Sequence, residues 1–300
     1  MKTKTFKKDD SNSILISFII PCWNSQKTIS RCLQSIIINQ SINIEIICVD
    51  DCSNDNTAAI INSLIKQDER IQYFKKYQHT NAGDTRNLGI TNASGLYCWF
   101  VDSDDIIAPD SVDKLIKNMK QYSHPDLIIF SYKMITEQGH AEKKQHIQTV
   151  SNTILEIKNI NIDIYYQRTS PVVWNKLFKL KLINDNRLKF QSIKSSNDIF
   201  FTRAYMSIVR NFLFLDEYIY FNDRTIRDSI SALRGNAFFP THLANLKLRK
   251  FLIVNNIYMK FRKTFLKSYQ SNAKHEYKNT DNIIYKFFHI TIIFLLGCIR

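Results

Sequence analysis

Ile46-Ile47-Cys48-Val49-Asp50-Asp51-Cys52-Ser53-Asn54-Asp55-Asn56-Thr57 is a hydrophobic run that breaks into acid, and Tyr97-Cys98-Trp99-Phe100-Val101-Asp102-Ser103-Asp104-Asp105 does the same again. Each run has the length and composition of a buried strand. Carboxylates set side by side repel strongly unless a cation lies between them, and a divalent ion takes oxygen ligands of this kind. In an open α/β sheet, the loops at the carboxyl ends of the strands line the crevice where ligands bind. Together the two stretches point to a cation site that grips a diphosphate.

The pattern extends outward from these strands. Residues 14–21 form a β run ending at Pro21, and Asn24 or Ser25 is placed to cap a helix with the apolar stripe Ile29, Cys32, Leu33, Ile36 and Ile37. Helix patterns at 57–67 and 85–93 alternate with strand patterns at 45–49, 71–74 and 97–101. Asp110 then caps a helix to Tyr122, and 126–132 is another strand. Strands separated by helix-length segments imply βαβ crossovers and a mostly parallel sheet. The turn at Pro21–Asn24 and both aspartate clusters then share one sheet edge. After about Lys133 the alternation stops. Residues 138–148 are polar and read as a loop or hairpin, Asp198 begins a helix through Phe201 and Tyr205, and 212–215 and 218–221 are strand-like.

Composition bounds the class. The chain has 300 residues, 44% of them hydrophobic, which suffices for a packed core, and its aromatic content argues against disorder. Lys and Arg number 41 against 27 Asp and Glu, a net charge of +14. Residues 236–300 hold eleven of the basic residues and two of the acidic ones, a balance suited to an anionic surface. The six cysteines show no CxxC pair and the histidines no metal-ligand spacing, so both read as ordinary, with the thiols buried and free in a reducing compartment. No signal-peptide core is present at the N-terminus, and nothing reaches transmembrane length, although 287–299 is strongly apolar. The expected location is cytoplasmic; a peripheral position on the cytoplasmic face of the inner membrane is allowed.

Four stretches now carry a resemblance. Ile19-Ile20-Pro21-Cys22-Trp23-Asn24 resembles the I-P-x-Y-N opening of family 2 glycosyltransferases, and Val49-Asp50-Asp51-Cys52-Ser53-Asn54-Asp55-Asn56-Thr57 their V-D-D-x-S-x-D-x-T. Asn81-Ala82-Gly83-Asp84-Thr85-Arg86-Asn87-Leu88-Gly89 is similar to a shortened G-x-x-x-A-R-N-x-G, and Asp102-Ser103-Asp104-Asp105 matches D-S-D-D. Trp174-Asn175-Lys176-Leu177-Phe178 and Asn197-Asp198-Ile199-Phe200-Phe201 are similar to later landmarks of bacterial polysaccharide-building members. The resemblance implies a GT-A fold: a Rossmann-like, mostly parallel sheet flanked by helices, with a mainly helical basic C-terminal extension. It divides the chain into a polar tail (1–13), a nucleotide-sugar-binding half (14–135), an acceptor-binding half (136–235) and basic amphipathic helices (236–300).

The roles that follow are implied by the resemblance. Asp104 is the direct ligand of Mg²⁺ or Mn²⁺, with Asp102 on the metal, on a metal-bound water or on the ribose, and Ser103 between them binding the donor. Asp51 accepts the imide N–H that uracil offers and cytosine lacks, which favours a UDP-sugar. Pro21, Trp23 and Asn24 wall the base and ribose, Trp23 keeping a stacking face where Tyr is usual. Arg86 meets either the diphosphate or a nearby aspartate. Asp50 is structural, and Ser53, Asp55 and Thr57 either join the site or cap the next helix. Asp198 is the general base of an inverting transfer, or else the cap of its own helix; Asn197 stands before it where Glu is usual. Asp105 faces the acceptor or closes the metal shell, and Tyr220, Arg224, Arg227 and Ser229 resemble a segment near the diphosphate.

The expected activity is metal-dependent, inverting, non-processive transfer of a hexose or N-acetylhexosamine from a UDP-sugar to a glycan or lipid-linked glycan acceptor. No nucleic acid is expected as a partner; a homodimer is allowed. The competing reading, an inactive membrane- or nucleic-acid-binding protein on the same scaffold, predicts lost carboxylates, yet Asp51, Asp102, Asp104 and Asp198 are all present. At 243–267, residues Leu243, Leu246, Phe251, Val254, Tyr258, Phe261 and Phe265 recur at helical spacing among lysines. That stretch and 287–299 lie on a membrane, on the catalytic body or on a dimer mate.

Overall fold

The computed structural model describes residues 13–137, 141–144, 153–160, 165–166, 169–225, 238–278 and 283–298. The first four hydrophobic runs become β1 (Ile16–Cys22), β2 (Ile44–Asp50), β3 (Ile71–Lys75) and β4 (Tyr97–Phe100), which lie parallel in the order β3-β2-β1-β4. Helices α1 (Ile29–Ile37), α2 (Thr57–Ile65) and α3 (Ala82–Asn92) connect them. Helix α3 begins three residues before the pattern suggested, because the Asn81 side chain accepts the Asp84 N–H at 3.0 Å and fixes the turn there.

The chain continues through β5 (Ile106–Ile107), α4 (Ser111–Gln121), β6 (Leu127–Ile135), β7 (Ala141–Lys144), β8 (Thr153–Glu156), β9 (Lys176–Lys179), α5 (Leu180–Asp185), α6 (Asn197–Ile208) and β10 (Asn211–Asp223). Strand β9 enters antiparallel between β4 and β6, and β10 runs parallel to β6, so the first four strands continue into one ten-stranded sheet. The two strand-like pieces at 212–215 and 218–221 are a single strand with register shifts between Leu215 and Tyr220. The expected hairpin is present in part: β7 folds back antiparallel on β6, while 138–140 and 145–148 lie outside the described residues. Asp110 precedes α4 in a left-handed conformation (φ 60°) and caps nothing with its side chain, and α1 starts behind Thr28 rather than at Asn24 or Ser25.

Side chains alternate faces along each strand, and two cores result. Phe18, Ile20, Tyr97, Trp99, Ile128 and Phe130 pack with α1, α2 and α4. Ile19, Cys98, Phe100, Leu127 and Ile129 pack on the other face with α3 and α6. Gly89 lets α3 press on β1, since a Cβ there would lie 2.3 Å from Ile19 Cγ2. Cys22, Cys32, Cys48 and Cys98 are buried free thiols, as expected, and Cys52 is partly exposed.

Three helices follow: α7 (Phe238–Val254), α8 (Tyr258–Lys278) and α9 (Ile283–Cys298). They join the α6-side core through Ala244, Leu248, Leu252, Phe261, Phe265, Tyr269, Ala273 and Ile292. Of the expected stripe, Phe261 and Phe265 are buried, Phe251 and Tyr258 are partly so, and Leu243, Leu246 and Val254 face solvent. Among the described residues, no helix is long and apolar enough to cross a membrane.

Candidate active site

The loops after β1 and β2 are stitched together. Asn24, at φ 47°, donates its backbone N–H to Ser53 Oγ (2.9 Å), and its Oδ1 accepts the Asn54 N–H (3.0 Å). Asp55 accepts from the Thr57 N–H, the Thr57 hydroxyl and the Gln26 N–H. Asp50 is fully buried and accepts from Ser53 and from the Tyr73 hydroxyl (2.7 Å). Asp50, Ser53, Asp55 and Thr57 thus shape these two loops, and the Asn24 amide does the same.

Asp51 follows β2 directly, is buried, and has its carboxylate engaged. Oδ1 accepts from Lys76 Nζ (2.6 Å) and the Thr80 N–H (3.0 Å), and Oδ2 lies 3.0 Å from His79 Nδ1. His79 also stacks on Trp23, ring centroids 4.5 Å apart, and Trp23 remains 47% exposed. Lys76 and His79 were not legible as site residues: they fall between motifs, and the histidine carries no metal-ligand spacing. The Trp23–His79 pair leaves an aromatic surface beside Asp51, the right material for holding a planar base.

The D-S-D-D turn follows β4 directly. Ligand oxygens of Asp102, Asp104 and Asp105 lie within 4.8 Å of one another. Asp105 is wholly buried and accepts from the Tyr220 hydroxyl (2.6 Å), Asn222 Nδ2 (2.9 and 3.1 Å) and the Asp223 N–H (2.7 Å). It anchors the turn to β10, which accounts for its oxygens more fully than an outward role. Arg31 locks the same junction, donating to the Asp104 carbonyl (2.9 Å) and pairing with Asp223 (2.7 Å). Ser103 Oγ lies 2.8 Å from Ser25 Oγ, joining the turn to the β1 loop. Tyr220, from the late segment, is buried beneath the turn and receives the Asp102 N–H at 3.2 Å; Arg227 and Ser229 lie outside the described residues.

Burial, then the charge of Asp102, push the Asp104 carboxyl up to about 6, with Arg224 opposing. Burial also raises Asp105, helped by Asp104 and Asp102. A cluster of raised carboxylates is short of positive charge. Its all-oxygen donor set would fit Mg²⁺ or Mn²⁺, and Asp104 and Asp102 are the residues that could hold such an ion.

Arg86 meets an aspartate in this structure. Projecting from α3, it pairs with Asp102 Oδ1 at 2.7 Å and donates to Asn197 Oδ1 at 3.0 Å. The same guanidinium therefore holds the D-S-D-D turn and the first turn of α6, where Asp198 lies partly exposed. Ser196, in the left-handed region at φ 58°, occupies the N-cap of α6, so Asp198 is not its cap. Behind this turn are two buried cations, Lys176 and Arg203. Burial lowers both, and the charge of Asp198 acts to raise them again. Lys176 Nζ donates to the Ser170 and Val172 carbonyls and to Asn175 Oδ1, using all three of its protons.

A helix-flanked sheet whose second and fourth strands feed a carboxylate-lined edge is the architecture of the GT-A transferases. The chain belongs to glycosyl transferase family 2, whose family model matches residues 17–187. It is 27% identical over 212 residues to glycosyltransferase GlyA of Streptococcus pneumoniae, covering 68% of this chain and 30% of that protein. It is 32% identical over 201 residues to the poly(ribitol-phosphate) beta-glucosyltransferase of Bacillus spizizenii, covering 64% of this chain and 29% of that protein. The alignments thus span under a third of the length of these two relatives. Among solved structures, S. aureus TarS 1-349 in complex with UDP-GlcNAc has a TM-score of 0.69 at 18% identity, covering 94% of this chain and 89% of that one. That likeness concerns the fold.

Proposed function

We propose that this family 2 transferase moves a hexose or N-acetylhexosamine from a UDP-sugar to a lipid-linked, growing cell-surface glycan, with inversion and with Mg²⁺ or Mn²⁺ bound. The observation that carries the reading is the Arg86 bridge, which joins Asp102 to the turn that bears Asp198. Relatives named for poly(ribitol-phosphate) glucosyl transfer, and a structural neighbour holding UDP-GlcNAc, support the donor and acceptor classes.

In this reading Trp23 stacks on the uracil and Asp51 accepts a hydrogen bond from its imide N–H, which replaces one now donated by His79 or the Thr80 N–H. Asp102 and Asp104 hold the cation. When bound, it supplies the positive charge that lets a diphosphate depart. Asp198 takes the proton of the acceptor hydroxyl as that oxygen bonds to the anomeric carbon. The bond to the UDP oxygen breaks on the opposite face, and the proton stays on Asp198. Asn197, held by Arg86, keeps this turn of α6 in register with the D-S-D-D turn.

The test is UDP release from a panel of UDP-hexoses and UDP-N-acetylhexosamines, with Mn²⁺ or with EDTA. At least one donor is expected to turn over only with the cation. Turnover indifferent both to EDTA and to Asp104→Ala would overturn the reading.

A further inference from the structure

Helix α9 is apolar on the side that faces away from the protein. Ile283, Phe287, Ile290 and Phe294 are 80%, 74%, 51% and 68% exposed. Their spacing of four, three and four residues sets them on one narrow stripe. Ile292, buried in the core, lies half a helical turn round from that stripe. The helix is therefore seated by one face and shows bulky hydrocarbon on the other. Exposing one such side chain is ordinary, whereas four in a row on one face mark a contact surface.

Helix α8, packed beside α9, presents a different face to solvent. Its inward line is Phe261, Phe265, Tyr269 and Ala273. On the opposite side Lys260, Lys263, Lys267, Lys274 and Lys278 recur at helical spacing, all exposed. No acidic residue shares that arc. The neighbouring α7 adds exposed Lys247, Arg249 and Lys250, together with exposed Leu243, Leu246, Ile253 and Val254.

We infer that the α8–α9 pair is a docking surface for an anionic lipid bilayer. The lysines lie over acidic headgroups, and the α9 stripe enters the boundary between headgroups and acyl chains. Two kinds of contact on adjacent helices are what stable interfacial binding requires, since charge or one shallow apolar face alone gives marginal attachment. Charge decides the occupant. A second copy of this chain would bring its own lysine row, whereas an acidic leaflet supplies opposite charge. Helix α9, at sixteen residues, is about 24 Å long and lies in the interface rather than spanning it. The inference is independent of the reaction proposed above, and its test uses neither donor nor acceptor.

The experiment is flotation of the full chain with vesicles of phosphatidylcholine alone or mixed with phosphatidylglycerol, at low and high salt. Binding to the mixed vesicles is expected, weakened by salt, with little to the neutral ones. Each lysine near an acidic surface contributes about fivefold in affinity, so Lys260→Glu, Lys274→Glu and Lys278→Glu together should cost on the order of a hundredfold. Phe287→Ser with Phe294→Ser should reduce binding at least tenfold, and circular dichroism of both variants should match the parent. Three results would overturn the inference. The first is mixed-vesicle binding unchanged in both variants. The second is no vesicle binding with a dimer, seen by sedimentation, that the serine pair dissociates. The third is loss with the lysines alone, accompanied by nucleic-acid binding that the same lysines support.

Discussion

Arg86 Nη1 and Asn197 Oδ1 meet at 3.0 Å across 111 residues of sequence, inside the protein. Nη2 of the same group holds Asp102, while Nε is buried without a partner. Lysine has one point charge and cannot span both acceptors. Arg86→Lys is expected to lower kcat at least tenfold and to weaken cation binding. Steady-state kinetics and a Mn²⁺ titration check it; unchanged values for both would detach the bridge from the reaction.

Asp198→Asn retains shape and removes basicity. Transfer should fall by about 10²–10⁴, the usual worth of a general base. UDP affinity, measured by calorimetry, should stay within about twofold of the parent. An active Asp198→Asn enzyme would send the search for the base elsewhere.

The raised carboxyls of Asp104 and Asp105 fix a pH dependence. Their folded pKa values exceed the unfolded ones, so the native chain binds more protons between about pH 4 and 6. Stability of the cation-free protein therefore falls as pH rises through that window, by about 2–3 kcal/mol for Asp104. Mn²⁺ at neutral pH should restore it. Thermal melts in EDTA and in Mn²⁺ across this range would show the two curves diverging upward in pH; parallel curves would remove the cation from these carboxylates.

Trp23 is nearly half exposed, and its contact is the stack on His79. Trp23→Ala should leave Tm almost unchanged and weaken UDP binding about tenfold, as loss of one base–aromatic stack does. Trp23→Phe should recover most of it. Equal affinity in all three proteins would place the base elsewhere.

Lys176→Met removes the three hydrogen bonds of a buried ammonium group and orphans their acceptors. A loss of about 3 kcal/mol is expected in urea unfolding. A neutral effect would show that water replaces the ammonium.

What could be read from the chain was local. Strands β1, β2 and β4, and the acidic turns after the last two, are legible because each is a short apolar run ending in the residues that must leave the sheet. Strand β9 did not. Its partners, β4 and β6, are far away in sequence, and nothing in Lys176–Lys179 specifies an antiparallel insertion. His79 is not legible from spacing, because its place in the site comes from a ring stacked on Trp23. The buried line of α7, Ala244, Leu248 and Leu252, is not legible in the sequence because that helix is apolar on several sides. Periodicity then has no single direction to report.

The insertion of β9 has a mechanical consequence. Opening between strands β1–β4 and the rear portion beyond β9 would tear the backbone ladder on one side of residues 176–179 or the other, so the paired sheet resists a clamshell motion at this seam. Closing over substrate by segments at the sheet's rim breaks no such ladder. For the same reason a graft that exchanges the rear portion must carry this four-residue wedge with it, or leave a slot in the middle of the sheet.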